Sequence, residues 1–158
     1  MKTEVETKYY DNGQKESEEN FKNGKEEGLS TRWYENGQKH YEDNYKNGKS
    51  EGITTGWHKN GQRFWEGNSK NGFLDGFYTT WYDNGQKEEE GEYKKINGWF
   101  INRDDSAEDG FWTYWYKNGH KRSEVTYKNG KEEGRRTEWY MNGQKKEEGT
   151  VTKYGSYH

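Results

Sequence analysis

The chain has no cysteine and no proline, and aliphatic side chains are scarce. Each shortage excludes something. Without cysteine there is no disulfide, no thiolate metal site and no thiol nucleophile, a composition that suits a reducing, cytoplasmic setting. Without proline, no strand ladder is interrupted. Only 11 residues are Ala, Val, Ile, Leu or Met, against 28 aromatic ones, too few to fill a globular core of the usual aliphatic kind. No window is apolar over the length of a membrane span, and the opening Met1-Lys2-Thr3-Glu4-Val5-Glu6 lacks the apolar run of a signal peptide. Charge of one sign is not concentrated either. The 26 basic and 29 acidic residues are mixed along the chain for a net charge of −3, which argues against a nucleic-acid or anionic-membrane stripe.

What is present is a period. Six Asn-Gly dipeptides lead into Gln or His, at Asn12-Gly13-Gln14, Asn36-Gly37-Gln38, Asn60-Gly61-Gln62, Asn84-Gly85-Gln86, Asn118-Gly119-His120 and Asn142-Gly143-Gln144. Their glycines are 24, 24, 24, 34 and 24 residues apart. The single repeat domain, 1–158, thus divides into a partial repeat over 1–27 and repeats over 28–51, 52–75, 76–109 (with a ten-residue insertion), 110–133 and 134–158. A fixed period in this range marks a repeat architecture.

Within one repeat, Leu29-Ser30-Thr31-Arg32-Trp33-Tyr34-Glu35 is β-branched and aromatic, and Asn36-Gly37 supplies two residues tolerant of positive φ, the signal of a type I′ hairpin. The return strand, from Gln38 to about Lys46, ends at a second Asn-Gly, Asn47-Gly48. No helical period occurs. The expected fold is all-β: an elongated, twisted, single-layer antiparallel β-meander of about six tandem hairpins, each touching only its neighbours.

With Asn36 and Gly37 as the loop, Glu35 pairs with Gln38, Arg32 with Tyr41 and Thr31 with Glu42. That register puts Thr31, Trp33 and Glu42 on one face, and Tyr34, Lys39, Tyr41 and Tyr45 on the other. Columns follow from the period: Trp33, Trp57, Trp81, Trp115 and Trp139 on the first face; on the second, Tyr10, Tyr34, His58, Tyr82, Tyr116 and Tyr140 beside the basic Lys15, Lys39, Arg63, Lys87, Lys121 and Lys145.

The runs Lys22-Asn23-Gly24-Lys25-Glu26-Glu27-Gly28, Lys46-Asn47-Gly48-Lys49-Ser50-Glu51-Gly52 and Lys128-Asn129-Gly130-Lys131-Glu132-Glu133-Gly134, each followed by x-x-Thr-x-Trp-Tyr-x-Asn-Gly-Gln (with His58 for Tyr after the second), resemble MORN repeats. More closely they resemble the bacterial MORN variant, whose members are often assigned as antitoxin components of toxin–antitoxin systems. The resemblance implies a single-layer array of hairpins used mainly for protein contacts, with lipid binding in some members and no catalytic residues to carry over. The sequence departs from the eukaryotic Tyr-x-Gly-x-Trp form, with Trp65-Glu66-Gly67-Asn68-Ser69 and Tyr41-Glu42-Asp43-Asn44-Tyr45 in its place.

What every repeat shares is explained by folding, and what one repeat alone has is the better candidate for recognition. Two departures meet that description. In the insertion, Trp99, Phe100 and Ile101 stand next to Arg103, Asp104 and Asp105, the composition of an interface anchor with a charged rim, or of a local cover for the sheet. Off the repeating columns, Tyr41, Trp65, Tyr78, Trp112 and Tyr114 all fall on the Tyr34 face by parity, as expected of an exposed partner-binding surface.

No constellation points to catalysis, a metal or a cofactor. His40, His58, His120 and His158 lack ligand spacing, and Asp104-Asp105 lacks the spaced oxygens of a calcium loop. The recurring Glu18, Glu42, Glu66, Glu90, Glu124 and Glu148 offer no pair of carboxylates in contrasting environments, and the glycines sit at turns rather than in a phosphate loop. The expected function is therefore a non-enzymatic protein–protein interaction module. The family resemblance sharpens it to an antitoxin or immunity-type protein masking a toxin. Two alternatives differ in class. One is a glycan or choline-type module, for which Gly110-Phe111-Trp112-Thr113-Tyr114-Trp115-Tyr116 resembles the hairpins of choline-binding repeats. The other is a peripheral membrane scaffold. The expected state is a monomer, with weak self-association through the terminal strands.

Overall fold

The computed structural model describes residues 2–95 and 106–151, and every regular element among them is a strand. Trp99, Phe100, Ile101, Arg103, Asp104 and Asp105 lie outside the described residues. Two compact units divide the chain, Met1–Phe73 and Leu74–His158.

In the first unit the strands are β1 (Thr3–Tyr9), β2 (Lys15–Lys22), β3 (Lys25–Glu26), β4 (Gly28–Trp33), β5 (Lys39–Lys46), β6 (Lys49–Ser50), β7 (Gly52–Trp57) and β8 (Arg63–Lys70). They form an antiparallel meander, β1-β2-β4-β5-β7-β8, in which two-residue β3 and β6 prolong β4 and β7 across a one-residue break. The second unit repeats the plan with β9 (Phe73–Trp81, starting at the boundary), β10 (Lys87–Lys95), β11 (Ser106–Trp115), β12 (Lys121–Lys128), β13 (Lys131–Trp139) and β14 (Lys145–Val151), each paired antiparallel to the next.

The two kinds of Asn-Gly make different turns. At Asn23-Gly24, Asn47-Gly48, Asn71-Gly72 and Asn129-Gly130 both residues have positive φ (Asn47 52°, Gly48 77°), as a two-residue type I′ loop requires. At Asn36-Gly37 only the glycine does, at 80°. Gly37 N–H donates to Tyr34 O (2.8 Å) and Tyr34 N–H to Gln38 O (2.9 Å), closing a three-residue loop. The type I′ loop expected at Asn36-Gly37 is therefore not the one formed there; among the described residues it occurs at Asn23-Gly24, Asn47-Gly48, Asn71-Gly72 and Asn129-Gly130. Asn36 keeps a negative φ because its side chain is engaged: Oδ1 accepts from Gln38 N–H (3.1 Å), and Nδ2 donates to Lys59 O in the following repeat (2.9 Å).

That loop resets the register. Trp33 pairs with Lys39, whereas Arg32 pairs with Tyr41 and Thr31 with Glu42, leaving His40 as a bulge. The inner pairs are those expected, but Glu35 does not pair with Gln38, and Lys39 moves to the Trp33 face. The basic column accordingly lies with the tryptophans. Lys15 stands over Trp33 (5.6 Å to the ring centroid), Lys39 over Trp57 (5.4 Å), Lys87 over Trp115 (5.6 Å) and Lys121 over Trp139 (5.8 Å). Each lysine also binds the Glu three residues on, as in Lys15–Glu18 at 2.5 Å.

Successive repeats are tied through their loops. Tyr10 OH donates to Trp33 O (2.6 Å), Tyr34 OH to Trp57 O (2.7 Å), Tyr82 OH to Trp115 O (2.8 Å) and Tyr116 OH to Trp139 O (2.9 Å). At the opposite turns, Asn47 N–H donates to the Glu27 carboxylate and Asn71 N–H to that of Glu51, both at 2.8 Å.

Candidate functional site

The face carrying Thr31 and Trp33 is periodic, and in the first unit it reads as four parallel rows. Nearest the three-residue loops lies the Trp–Lys row. Next comes a row of Thr against Glu (Thr7 and Glu18, Thr31 and Glu42, Thr55 and Glu66), in which Thr55 Oγ1 donates to Glu66 at 3.4 Å. The third row pairs an apolar residue with Asn: Val5 with Asn20, Leu29 with Asn44, Ile53 with Asn68. Its apolar members are 62%, 42% and 51% exposed. At the type I′ turns the last row places like charges opposite each other, Lys22 against Lys25 and Lys46 against Lys49, with Lys70 beyond.

The opposite face varies from repeat to repeat, and it is where the core lies. In the first unit its centre is the Asp43 carboxylate, 2% exposed, which accepts from Ser50 Oγ (2.8 Å), Thr54 Oγ1 (2.5 Å) and Tyr41 OH (3.3 Å). Burial first, and then the charge of Asp43, push the Tyr45 phenol up to about 12 and raise Tyr41 in the same sense. Trp65 packs directly on its cross-strand partner Gly56, and its ring centroid is 6.0 Å from that of Tyr41.

In the second unit the centre is Trp112, 1% exposed, with Val125 (2%) beside it. Around the indole stand Tyr93 (5.2 Å, edge-on), Tyr114 (6.1 Å, stacked), Tyr78 (6.2 Å) and Tyr127 (6.3 Å, edge-on), and its Nε1–H donates to Glu92 O (3.2 Å). A groove beside this cluster is lined by Tyr114, Arg122, Tyr127, Arg136, Glu138 and Lys146, among others. Its charges are largely consumed internally. Arg136 binds Glu132 (2.6 Å) and Glu138 (2.5 Å), Lys146 binds Glu138 (2.9 Å), and Arg122 stands 5.3 Å over the Tyr114 ring. The hydrogen bond from Arg136 leads in holding Glu138 below its ordinary carboxylate range.

The aromatics expected to form an exposed patch are therefore gathered into two clusters, Tyr41 with Trp65 and Tyr78 with Trp112 and Tyr114. Trp112 is withdrawn from any surface, because a single layer this poor in aliphatics buries its largest aromatic ring first. Tyr41, Trp65, Tyr78 and Tyr114 are half-buried around it or around Asp43. Sequence reasoning missed Tyr93 and Tyr127, and it missed the exposed row of Val5, Leu29 and Ile53, continued at the equivalent positions of the second unit by Phe77 and Phe111 (39% and 56% exposed). The signal was available. An apolar residue stands four positions before Tyr9, Trp33, Trp57, Trp81 and Trp115, in five successive repeats.

The MORN repeat variant profile matches residues 5–23, 26–47, 74–95 and 108–129, together more than half the chain. The chain belongs to the MORN repeat variant family. No curated protein matches it at a significant level. MORN repeats are a non-catalytic type commonly engaged in protein and membrane interactions, and the chain fits a generic interaction module. Among the described residues no group of His, Asp or Glu is placed to hold a metal ion, and no helix is long and apolar enough to cross a membrane.

Proposed function

We propose that this MORN-variant chain is a non-catalytic docking module that receives a partner protein on the periodic face of its first unit. In its sharpest form this is a cytoplasmic antitoxin or immunity-type function, the partner being a toxin masked by the contact. The observation that carries the reading is the exposure of Val5, Leu29 and Ile53 in a chain with only 11 aliphatic residues. A fold so short of apolar area gains about 25 cal/mol for each Å² it buries, and leaving three such residues in register on one face is favourable only if a partner covers them.

A small-ligand module of the choline or glycan type is less well supported. Trp33, Trp57, Trp115 and Trp139 each already carry a lysine of the chain over the ring, and Tyr114 carries Arg122. Affinity capture from the native host with the tagged full chain, beside Leu29→Ser and Ile53→Ser variants, tests the docking reading. It expects a stoichiometric partner held by the parent and lost by the variants. A partner retained by both variants moves the interface elsewhere, and no partner at all refutes the reading.

A further inference from the structure

The lysine row of the first unit is an electrostatic cost with no internal offset. Lys22 faces Lys25 and Lys46 faces Lys49 directly across the type I′ turns, and like charges in that relation destabilise a sheet. None of Lys22, Lys25, Lys46, Lys49 or Lys70 has a carboxylate within ion-pair distance among the described residues. Glu27 and Glu51, two residues after Lys25 and Lys49, are occupied with the backbone N–H of Asn47 and Asn71, and Glu26, paired with Phe21, lies on the opposite face. Lysine on an open edge strand guards against sheet-to-sheet association, but these residues sit at hairpin turns in mid-sheet, where there is no edge to guard.

The lysine row and the apolar row share one face and one period. Each repeat adds two strands, about 9.6 Å at the usual strand spacing, and the rows lie two residues apart along the strands, about 6.6 Å. A ligand that answers both must bring an acidic group and an apolar group at adjacent positions every 9–10 Å or so. Polyproline II helix has three residues per turn and advances about 9.3 Å per turn, so every third side chain stays in phase across three repeats to within about 1 Å. An α-helical heptad advances about 10.5 Å and drifts by about 2 Å over the same distance.

We propose that the periodic face of the first unit binds an acidic, extended peptide segment in polyproline II conformation. The segment lies across the strands, with an apolar residue at every third position on Val5, Leu29 and Ile53 and the neighbouring acidic residues on the Lys22/Lys25 and Lys46/Lys49 pairs. This rests on the docking reading above and names the chemistry of its partner. Its energetic basis is relief of the like-charge pairs together with cover for the apolar row.

The test is fluorescence anisotropy of the full chain with a labelled synthetic peptide of Leu-Pro-Glu triplets. Comparison ligands are a Leu-Pro-Gln peptide, a proline-free helix-forming peptide of Leu, Ala and Glu, and vesicles containing phosphatidylserine. Binding of the Leu-Pro-Glu peptide is expected, weakening as salt rises and falling roughly tenfold in Ile53→Ser and in Lys46→Glu. Both substituted side chains are exposed, and urea midpoints no lower than the parent's establish that the variants fold. The proposal is overturned by absence of peptide binding, by equal binding of the Leu-Pro-Gln peptide or of Ile53→Ser, by preference for the helical peptide, or by binding to the vesicles alone. A host partner lost from Ile53→Ser, with no binding of the triplet peptide, overturns this inference while leaving the docking reading intact.

Discussion

Trp112 rests on Gly91 so closely that a methyl group on that glycine would fall among Cγ, Cδ2 and Cε2 of the indole. The second unit's core is thus set by the absence of a side chain on β10 as much as by the ring on β11. Gly91→Ala is expected to destabilise by about 1–3 kcal/mol through overpacking, and Trp112→Ala by about 3–5 kcal/mol through the cavity it leaves. Because the two residues share one contact, the double variant should cost clearly less than the sum of the singles in urea denaturation. Additive losses would mean that the glycine and the ring stabilise the sheet independently.

The inter-repeat hydroxyl bonds have a built-in control. Tyr34→Phe removes the donor to Trp57 O and should cost about 1 kcal/mol. Tyr140 occupies the equivalent position in the last repeat, is 52% exposed and has no such acceptor among the described residues. Tyr140→Phe should leave the unfolding midpoint unchanged.

The two kinds of Asn-Gly separate under one substitution. Asn47→Gly should be close to neutral, since Asn47 already holds a positive φ of 52° that glycine adopts freely. Asn36→Gly removes both the acceptor for Gln38 N–H and the donor to Lys59 O, and should cost about 1–2 kcal/mol. Equal effects in thermal unfolding would contradict the division of the turns.

The buried phenols set an alkaline limit. In the unfolded chain tyrosine titrates at about 10. In the folded chain Tyr45 is pushed up to about 12, and Tyr41 and Tyr114 are raised too, with burial the leading cause in all three. A raised folded value means that the native state holds the proton more tightly. Its contribution is therefore complete below about pH 10 and is lost as pH climbs towards 12. Urea midpoints should hold level to about pH 9.5 and then fall. Tyr45→Phe should blunt the fall, and a flat profile through about pH 11 would contradict the assignment.

Most of the fold was legible because the chain repeats. Alternation counted outward from a two-residue loop gives the pairing of Thr31 with Glu42 and of Arg32 with Tyr41, and these pairs survive the three-residue loop because the His40 bulge restores them. The face of Lys39 was not legible, because it depends on one bulged residue, His40, and the two Asn-Gly dipeptides look alike as sequence while differing in whether the asparagine Oδ1 accepts from the N–H two residues on, as Asn36 does from Gln38. Burial was harder still. Trp112 reads as an exposed ring on a thin sheet until Gly91 is placed beneath it, and that adjacency comes from an irregular stretch of the β10–β11 register. The exposed row of Val5, Leu29 and Ile53 needed no coordinates. It was overlooked because apolar residues at a fixed phase are ordinarily taken as the buried ones.

At the three-residue loops, the side-chain bonds that tie one repeat to the next end on main-chain oxygens. Asn12 Nδ2 donates to the carbonyl of Glu35, Asn36 to that of Lys59, Asn84 to that of Lys117 and Asn118 to that of Met141. Acidic, basic and thioether residues serve equally, since the acceptor is an atom that every amino acid possesses. A duplicated repeat would therefore arrive with its coupling at these loops already in place, whatever its own residue at the acceptor position. Arrays of this kind can lengthen, shorten or exchange units by recombination while the side chains at those positions diverge.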